Sequence, residues 1–441
     1  MTTAQKISQE AIYRERTPGS CEAFKRAGEV MPGVAKGAYY YAPYPVTIAR
    51  AEGCHLYDVD GNRYVDFANH HTTQILGHNH PAVVQAVARQ LEQGIAVAAP
   101  MGIETALADE LCRRVDSLEM VRFCNSGTEA TLHAIRLARE HTGRHLIAKF
   151  EGGYHGSHDA VEISTSPDPA KAGPADRPVP VASAGGMPPN ATDNVVILPF
   201  DDEAAVEAIV AEKSNELAAV ILDPKTGVIP QRLDFVKAVR EITERYGVLL
   251  ILDEIVGFRA SPGGVQAQCG ILPDLSTYGK IVGGGFPAGA FGGRRELMSL
   301  LDPTQGKTRV FQSGSFSAHP VTMAAGLAML EVLTPDVYAR LNRLTDRLVH
   351  GLDDVFARTG TVATVAASGS TFSIYFTREP VRTYRAVAAA DKGPVSAVFL
   401  GLLNRGYYLS NGLAMNCLSA AMDESHIDGL VEAVAGTLEE I

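Results

Sequence analysis

From about residue 75 the chain alternates between two hydrophobic textures. Stretches such as "PAVVQAVARQLEQG" and "EATLHAIRLAREHTG" place apolar residues three and four positions apart, which predicts helices with one buried face. Between such stretches lie short continuous apolar runs: "VRFCN", "HLIAKF", "NVVILPF", "LAAVILDP", "GVLLILDE" and "DLSTYGK". A short run that is apolar at every position predicts a strand buried on both faces. Strands of that kind separated by helices predict an α/β fold, with a mostly parallel sheet covered by helices on both sides.

The two ends read differently. Residues 1–45 predict a helical lead-in followed by "MPGVAKGAYYYAPYP", rich in Gly, Pro and Tyr. The stretch "TIARAEGCHLYDVDGNRYVDF" alternates as strands do and breaks at Asp60-Gly61, a hairpin signal. Residues 164–194 are rich in Pro, Ala and Gly and predict an active-site or interface loop, being too long for a passive connection. Beyond about residue 320 come further helices, then "STFSIYF", "GYYLS" and a terminal helix. The expected division is an N-terminal segment, 1–74, contributing to a small α+β domain, a large domain, 75–320, and the rest of the small domain, 321–441. No internal repeat of solenoid period is present.

Composition narrows the function classes. Of the 441 residues 46% are hydrophobic and 20% charged, ordinary for a globular protein, and the net charge of −11 disfavours nonspecific binding to nucleic acid or an anionic membrane. No apolar run has membrane-spanning length, and the start, "MTTAQKISQEAIYRERTPGS", has no signal-peptide apolar region. The six cysteines are scattered with no CxxC pair, which argues against a zinc site or a disulfide scaffold and predicts a reduced, cytoplasmic protein.

Four places carry candidate chemistry. Lys280 follows an apolar strand and precedes a glycine-rich stretch, "IVGGGFPAGAFGG", that reads as a flexible loop. It is either a surface lysine at a strand end or an amine placed where open α/β sheets bind ligands, able to form a Schiff base with a carbonyl. Asp253 ends the run "GVLLILD". A buried carboxylate there needs a partner: a helix N-terminus to cap, Arg259 for an ion pair, or a heterocyclic cation. At an effective dielectric of ~20 and ~4 Å the last pairing gains roughly 4 kcal/mol, enough to keep a pyridine nitrogen protonated at neutral pH. In "FCNSGTEAT", Ser126, Gly127 and Thr128 follow a strand and open a helix, which is either a plain N-cap or a phosphate site. In "FEGGYHGSHD", Tyr154 either packs in the core or offers a ring for stacking.

A phosphate cradle, a stacking ring, an acid for a ring nitrogen and an amine for an aldehyde are together the four contacts that pyridoxal phosphate requires. The chain resembles the class III aminotransferases of pyridoxal-phosphate fold type I, within the glutamate-1-semialdehyde aminomutase-like branch that includes β-phenylalanine and D-phenylglycine aminotransferases. The resemblance runs from "EGCHLYDVDGNRYVDF" and "GHNHP" through "NSGTEA", "GGYHG", "LDE" and "YGK" to "SGSFSAHP". It implies a central sheet of the seven-stranded type, with Lys280 carrying the cofactor as a Schiff base and shuttling the proton. Asp253 would bind the ring nitrogen, Tyr154 would stack, and Ser126, Gly127 and Thr128 would meet the phosphate. The family's "GTF" threonine, which reaches the phosphate from the other subunit, becomes Ser315 in Gly314-Ser315-Phe316, which implies a homodimer with composite active sites.

Departures from the pattern bear on substrate. Lys36 stands where the branch has an arginine that grips the substrate carboxylate in two hydrogen bonds; it is either a weaker anchor or faces solvent. Asp223 in "DPKTGVIPQ" replaces a glutamate in a shortened segment, and "DEIVGFRA", with Arg259, is one residue shorter than the aminomutase pattern. The histidines His70, His71, His78 and His80 suggest a metal cluster, but "GHNHP" matches a family element without metal, so none is expected.

The implied activity is an intermolecular aminotransferase with ping-pong kinetics, taking an amino group from an amino acid or amine and passing it to an oxo acid or ketone. The tyrosines of "AYYYAPYP" point to an aromatic or apolar substrate, or else to packing at a dimer interface. The alternative is an aminomutase or racemase with the same cofactor. A non-catalytic relative is disfavoured because Lys280 and Asp253 are both present, and a hydrolase because no G-x-S-x-G elbow occurs.

Overall fold

A computed structural model describes residues 8–33, 37–225 and 231–441. In chain order the strands are β1 (Ile48–Glu52), β2 (His55–Asp58), β3 (Arg63–Asp66), β4 (Met120–Cys124), β5 (Leu146–Phe150), β6 (Val195–Leu198) and β7 (Leu217–Leu222). They continue with β8 (Leu249–Asp253), β9 (Leu275–Gly279), β10 (Gly289–Gly293), β11 (Thr364–Ser368), β12 (Thr371–Tyr375), β13 (Tyr407–Tyr408) and β14 (Asn416–Cys417).

The larger of two compact units comprises Pro81–Tyr338 and Val381–Ala389. Its sheet has seven strands in the order β4-β10-β9-β8-β7-β5-β6. Each of the six apolar runs read from the sequence is one of its strands, and these six are mutually parallel. Every residue of β5, β7, β8 and β9 is buried, whereas the edge strands β4 and β6 are partly exposed. Alternate residues feed two cores, one on each face. Leu250 and Leu252 of β8 pack with Phe150, Phe200 and Phe235, while Leu249 and Ile251 pack with Ile135, Leu137 and Phe291. A strand that contributes to both cores has few positions for a polar side chain, which is why these strands appear as largely apolar runs, with Lys149 in β5 and Ser276 and Thr277 in β9 as buried exceptions.

The seventh strand corrects the sequence reading. Gly289–Gly293 lies in the stretch read as a flexible loop, yet it is a fully buried strand, antiparallel to both β4 and β9. Its glycines serve close approach: a Cβ on Gly289 would lie 2.0 Å from the carbonyl oxygen of Ser126, and one on Gly292 2.4 Å from that of Met120.

The unit boundaries fall at Pro81 and after Tyr338, not near residues 75 and 320, and Val381–Ala389 returns to the larger unit. The helix Pro320–Val332 explains the later boundary. It is buried along nearly its whole length and packs on the helices Pro81–Gln93 and Gly102–Arg114, so it belongs to that unit's core.

The smaller unit runs to His80 and includes Ala339–Pro380 and Ala390–Ile441. It holds the sheets β1-β2-β3-β13 and β11-β12-β14. The Asp60-Gly61 hairpin forms as read, with Asp58 Oδ1 accepting the amides of Asp60 and Asn62 at 3.0 and 2.8 Å. Tyr41 and Tyr44 are core residues, buried with Tyr13, whose hydroxyl donates to the Tyr44 carbonyl at 2.7 Å.

Gly289→Ala should lower stability by about 1–3 kcal/mol, because a methyl group there must push back the carbonyl that begins the neighbouring helix. Thermal melting checks this; an unchanged midpoint would mean that β10 shifts to make room.

Candidate active site

The C-terminal ends of the parallel strands bring together three segments that are distant in sequence. At the end of β4, Ser126 caps the helix Gly127–Thr142, its hydroxyl accepting the amide of Glu129 at 3.1 Å. That hydroxyl can still donate its own proton, and the Gly127 and Thr128 amides, first in the helix, have no acceptor within it. Hydroxyl, amides and helix dipole favour an anion here. Gly127 is held close by its surroundings: a Cβ on it would meet Ile255 Cδ1 at 2.5 Å. Ile255 follows Asp253 at the end of β8. A Cβ on Gly279, the last residue of β9, would lie 3.5 Å from Ile255 Cγ2 and 3.6 Å from Gly127 Cα. The three strand ends therefore meet with little more than backbone between them, immediately before Lys280.

Asp253 is 3% exposed, and its two oxygens have different partners. Oδ1 accepts the amide of Ile255 at 3.1 Å, so the capping role is real. Oδ2 lies 2.7 Å from Nδ1 of His155, which is 1% exposed. The sequence reading weighed Arg259 as an ion-pair partner and overlooked His155, although it stands beside Tyr154 in the quoted "GGYHG". Arg259 is itself buried. The neighbouring acid, Glu254, turns the other way, into a bed of glycines where a Cβ on Gly257 would lie 2.3 Å from its Oε2. Its Oε1 accepts the Gln266 amide at 2.9 Å, Oε2 has no partner, and burial pushes the carboxyl up to about 7. Of the two adjacent acids, Asp253 is thus the one placed at the strand ends.

Lys280 follows β9 with a left-handed backbone, φ +50°, and is partly buried. β8 and β9 are paired so that Asp253 lies opposite Thr277, three residues before Lys280. Tyr154, on the loop after β5, is half exposed, its hydroxyl 3.3 Å from Ser157 Oγ. The same loop is fixed to the capped helix: Thr128 Oγ1 accepts the Ser157 amide at 3.3 Å, and Thr131 Oγ1 donates to the His155 carbonyl at 2.6 Å.

Beneath this loop lies a second residue that the sequence reading passed over, Lys149, the lone charge in "HLIAKF". It is fully buried, and its Nζ donates to the carbonyls of Gly153, at 2.7 Å, and Ile163. Burial pushes the amine down to about 7. A neutral amine has two protons, matching the two carbonyls. Lys149 therefore ties the Tyr154 loop to the start of the long loop 164–194. Arg385 fastens that loop as well, pairing with Glu151 at 2.9 Å and donating to the carbonyls of Ala172, Gly173 and Pro174.

The residue beside Ser315 lies close to the capped helix: a Cβ on Gly314 would be 3.1 Å from Asn125 Nδ2. Ser315 is exposed, in a segment whose Phe311 and Phe316 are 76% and 62% exposed. Lys36 lies outside the described residues. Asp223 is buried, its Oδ1 accepting the Lys225 amide at 3.0 Å. Of the four histidines, His78 pairs with Asp66 at 2.8 Å, and His70 and His71 lie against Tyr39. His70 and His71 sit in a turn, Asn69–Thr72, in which four successive non-glycine residues have positive φ. Tyr39 and Tyr41 line a cavity of about 490 Å³ in the smaller unit with Phe399, Tyr408 and Met415. Among the described residues no helix is long and apolar enough to cross a membrane.

Comparison with known proteins places this geometry in context. The family Aminotransferase class-III matches residues 37–402. A glutamate-1-semialdehyde 2,1-aminomutase of Rhodopirellula baltica is 37% identical over 434 residues, covering 96% of each chain. An omega-transaminase of Sphaerobacter thermophilus superimposes with a TM-score of 0.93 at 41% identity, covering 97% of this chain and 99% of that one. A β-phenylalanine aminotransferase of Variovorax paradoxus gives 0.86 at 33% identity, covering 97% and 95%.

Lys149 makes stability depend on pH. Its folded pKa lies below the ordinary lysine value, so above about pH 7 the unfolded chain holds more protons and rising pH favours the fold. Between pH 7 and 9 the wild type should gain about 2 kcal/mol relative to Lys149→Met, and below pH 6 the two should run parallel. Denaturant titrations read this; parallel curves throughout would mean that Lys149 stays protonated in the fold.

Proposed function

The chain belongs to the class-III aminotransferases, and from that premise we propose that it moves an amino group from an amino acid or amine to an oxo acid or ketone. Its cofactor is pyridoxal 5'-phosphate, which when bound serves as the electron sink for the bonds at the amino-bearing carbon. The observation that carries the reading is the buried Asp253 carboxylate on β8 beside the β9 end that bears Lys280.

Asp253 would hold a proton on the ring nitrogen. His155, through the 2.7 Å contact with Oδ2, fixes which way the carboxylate faces. Ser126, Gly127 and Thr128 would hold the phosphate through the capping hydroxyl and the two helix amides. Tyr154 would cover one face of the ring. Lys280 Nζ would bind the cofactor and then carry the proton between the two carbons of the transfer. Proton movement by a positioned side chain is worth about 10²–10⁴-fold in rate.

The exposed Phe311 and Phe316 beside Ser315 support a homodimer in which Ser315 reaches the phosphate site of the partner subunit. A dimer would cover both rings. The likeness to the β-phenylalanine enzyme supports an aromatic or apolar substrate. A second reading, an aminomutase, is favoured by two curated relatives that bear that name, at 37% and 39% identity. An aminomutase needs no added oxo acid, whereas a transaminase stops after one half-reaction without it.

Adding D-, L- and β-amino acids singly to the cofactor-loaded protein should bleach its yellow absorption with one donor class, and an oxo acid should restore it. Steady turnover with no acceptor present would favour the aminomutase. Lys280→Ala should lose turnover by more than about a hundredfold. Asp253→Asn should keep the cofactor yet slow by about 10²–10³-fold; near-normal rates in either variant would remove the role given to that residue.

A further inference from the structure

Where β1 turns into β2, the chain reads Gly53-Cys54-His55, and the C-terminal helix Glu424–Glu440 begins beside it. Cys54 Sγ lies 3.3 Å from Nε2 of His426 and 3.7 Å from Nδ1 of His55. All three atoms lie within 4.8 Å of one another, the only such group of three among the described residues. A tetrahedral zinc ion, with Zn–S of about 2.3 Å and Zn–N of about 2.0–2.1 Å, separates a sulfur and a nitrogen ligand by about 3.6 Å. The two observed distances bracket that value.

The surroundings match as well. His426 Nδ1 lies 2.7 Å from the Asp423 carboxylate and 3.2 Å from the Asp423 amide nitrogen; with its proton on Nδ1, shared with the carboxylate, the imidazole presents Nε2 to an ion. Asp423 is in turn held by the Ser425 hydroxyl and amide at the helix N-terminus, so the carboxylate is itself positioned. Cys54 is 3% exposed, while His55 and His426 are partly exposed, leaving a solvent side through which an ion enters and a fourth ligand, a water, completes the set.

We propose that Cys54, His55 and His426 form a zinc site that fastens the β1–β2 hairpin to the C-terminal helix. On binding, the Cys54 S–H bond breaks, the proton leaves to solvent and a Zn–S bond forms; both imidazoles donate lone pairs as neutral rings. The clasp joins residues 372 positions apart, so it removes much chain freedom from the unfolded state.

The full chain, incubated with Zn²⁺ and desalted, should retain one zinc per chain by elemental analysis and melt at higher temperature. Co²⁺ in place of zinc should give the long-wavelength visible bands of a tetrahedral site and a thiolate charge-transfer band. Cys54→Ser and His426→Gln should lose the metal and the shift in melting, and Asp423→Asn should weaken affinity about 10–100-fold. Wild-type chain that retains no zinc and shows no thiolate–cobalt band would overturn the proposal, leaving a thiol hydrogen-bonded to an imidazole. So would a Cys54→Ser chain that binds zinc as well as the wild type. The cobalt spectrum is read on unaltered protein, so misfolding of a variant leaves the test intact.

Discussion

A carboxylate with 3% of its surface in contact with solvent is the constraint around which the larger unit is arranged. Asp253 sits at the end of an otherwise apolar strand, where an ionised group without partners would cost several kcal/mol. One oxygen is satisfied by the turn that it caps; the other needs a donor from outside its own segment, and His155 supplies it from the loop after β5. That single contact ties the placement of Asp253 to the placement of Tyr154, one residue from His155. The loop is in turn pinned to the capped helix through Thr128 and Thr131, and from below through Lys149. Asp253, the Tyr154 loop and the capped helix thus depend on one connected set of hydrogen bonds rather than on three separate ones.

The adjacent pair Asp253-Glu254 shows how little the residue type decides. Both acids are buried, yet one faces a histidine and a helix amide while the other is pressed among glycines with one oxygen unpartnered. The first presents one oxygen to a donor from another segment. The second favours the protonated form, held near neutral pH by burial. A single residue's offset along the chain separates a group that can stabilise a cation from one that is closed off from ligands.

What the sequence made legible follows from the same physics. The six strands were readable because burial on both faces leaves few positions for a polar residue, and Lys280 and Asp253 stood out as charges ending such runs. β10 was not readable, because its glycines answer to carbonyls on neighbouring strands and not to any local preference. His155 was missed for a related reason: its meaning lies in an oxygen 98 positions away. Lys149 was visible as an anomaly in "HLIAKF", but its two carbonyl partners belong to loops whose course local pattern does not give. Cys54 and His426 lie still further apart, so an argument from cysteine spacing could not have joined them.

Arg385 has a consequence for how the molecule is made. It belongs to Val381–Ala389, the last part of the chain to join the larger unit, and it fastens Glu151 and three carbonyls of the loop 164–194. Chains leave the ribosome N-terminal end first. The seven-stranded sheet can therefore assemble while translation is still in progress, but the loop beside Tyr154 has its Lys149 tie and lacks the Arg385 one until residue 385 has emerged. A nascent chain therefore holds that loop by fewer contacts until residue 385 has been added.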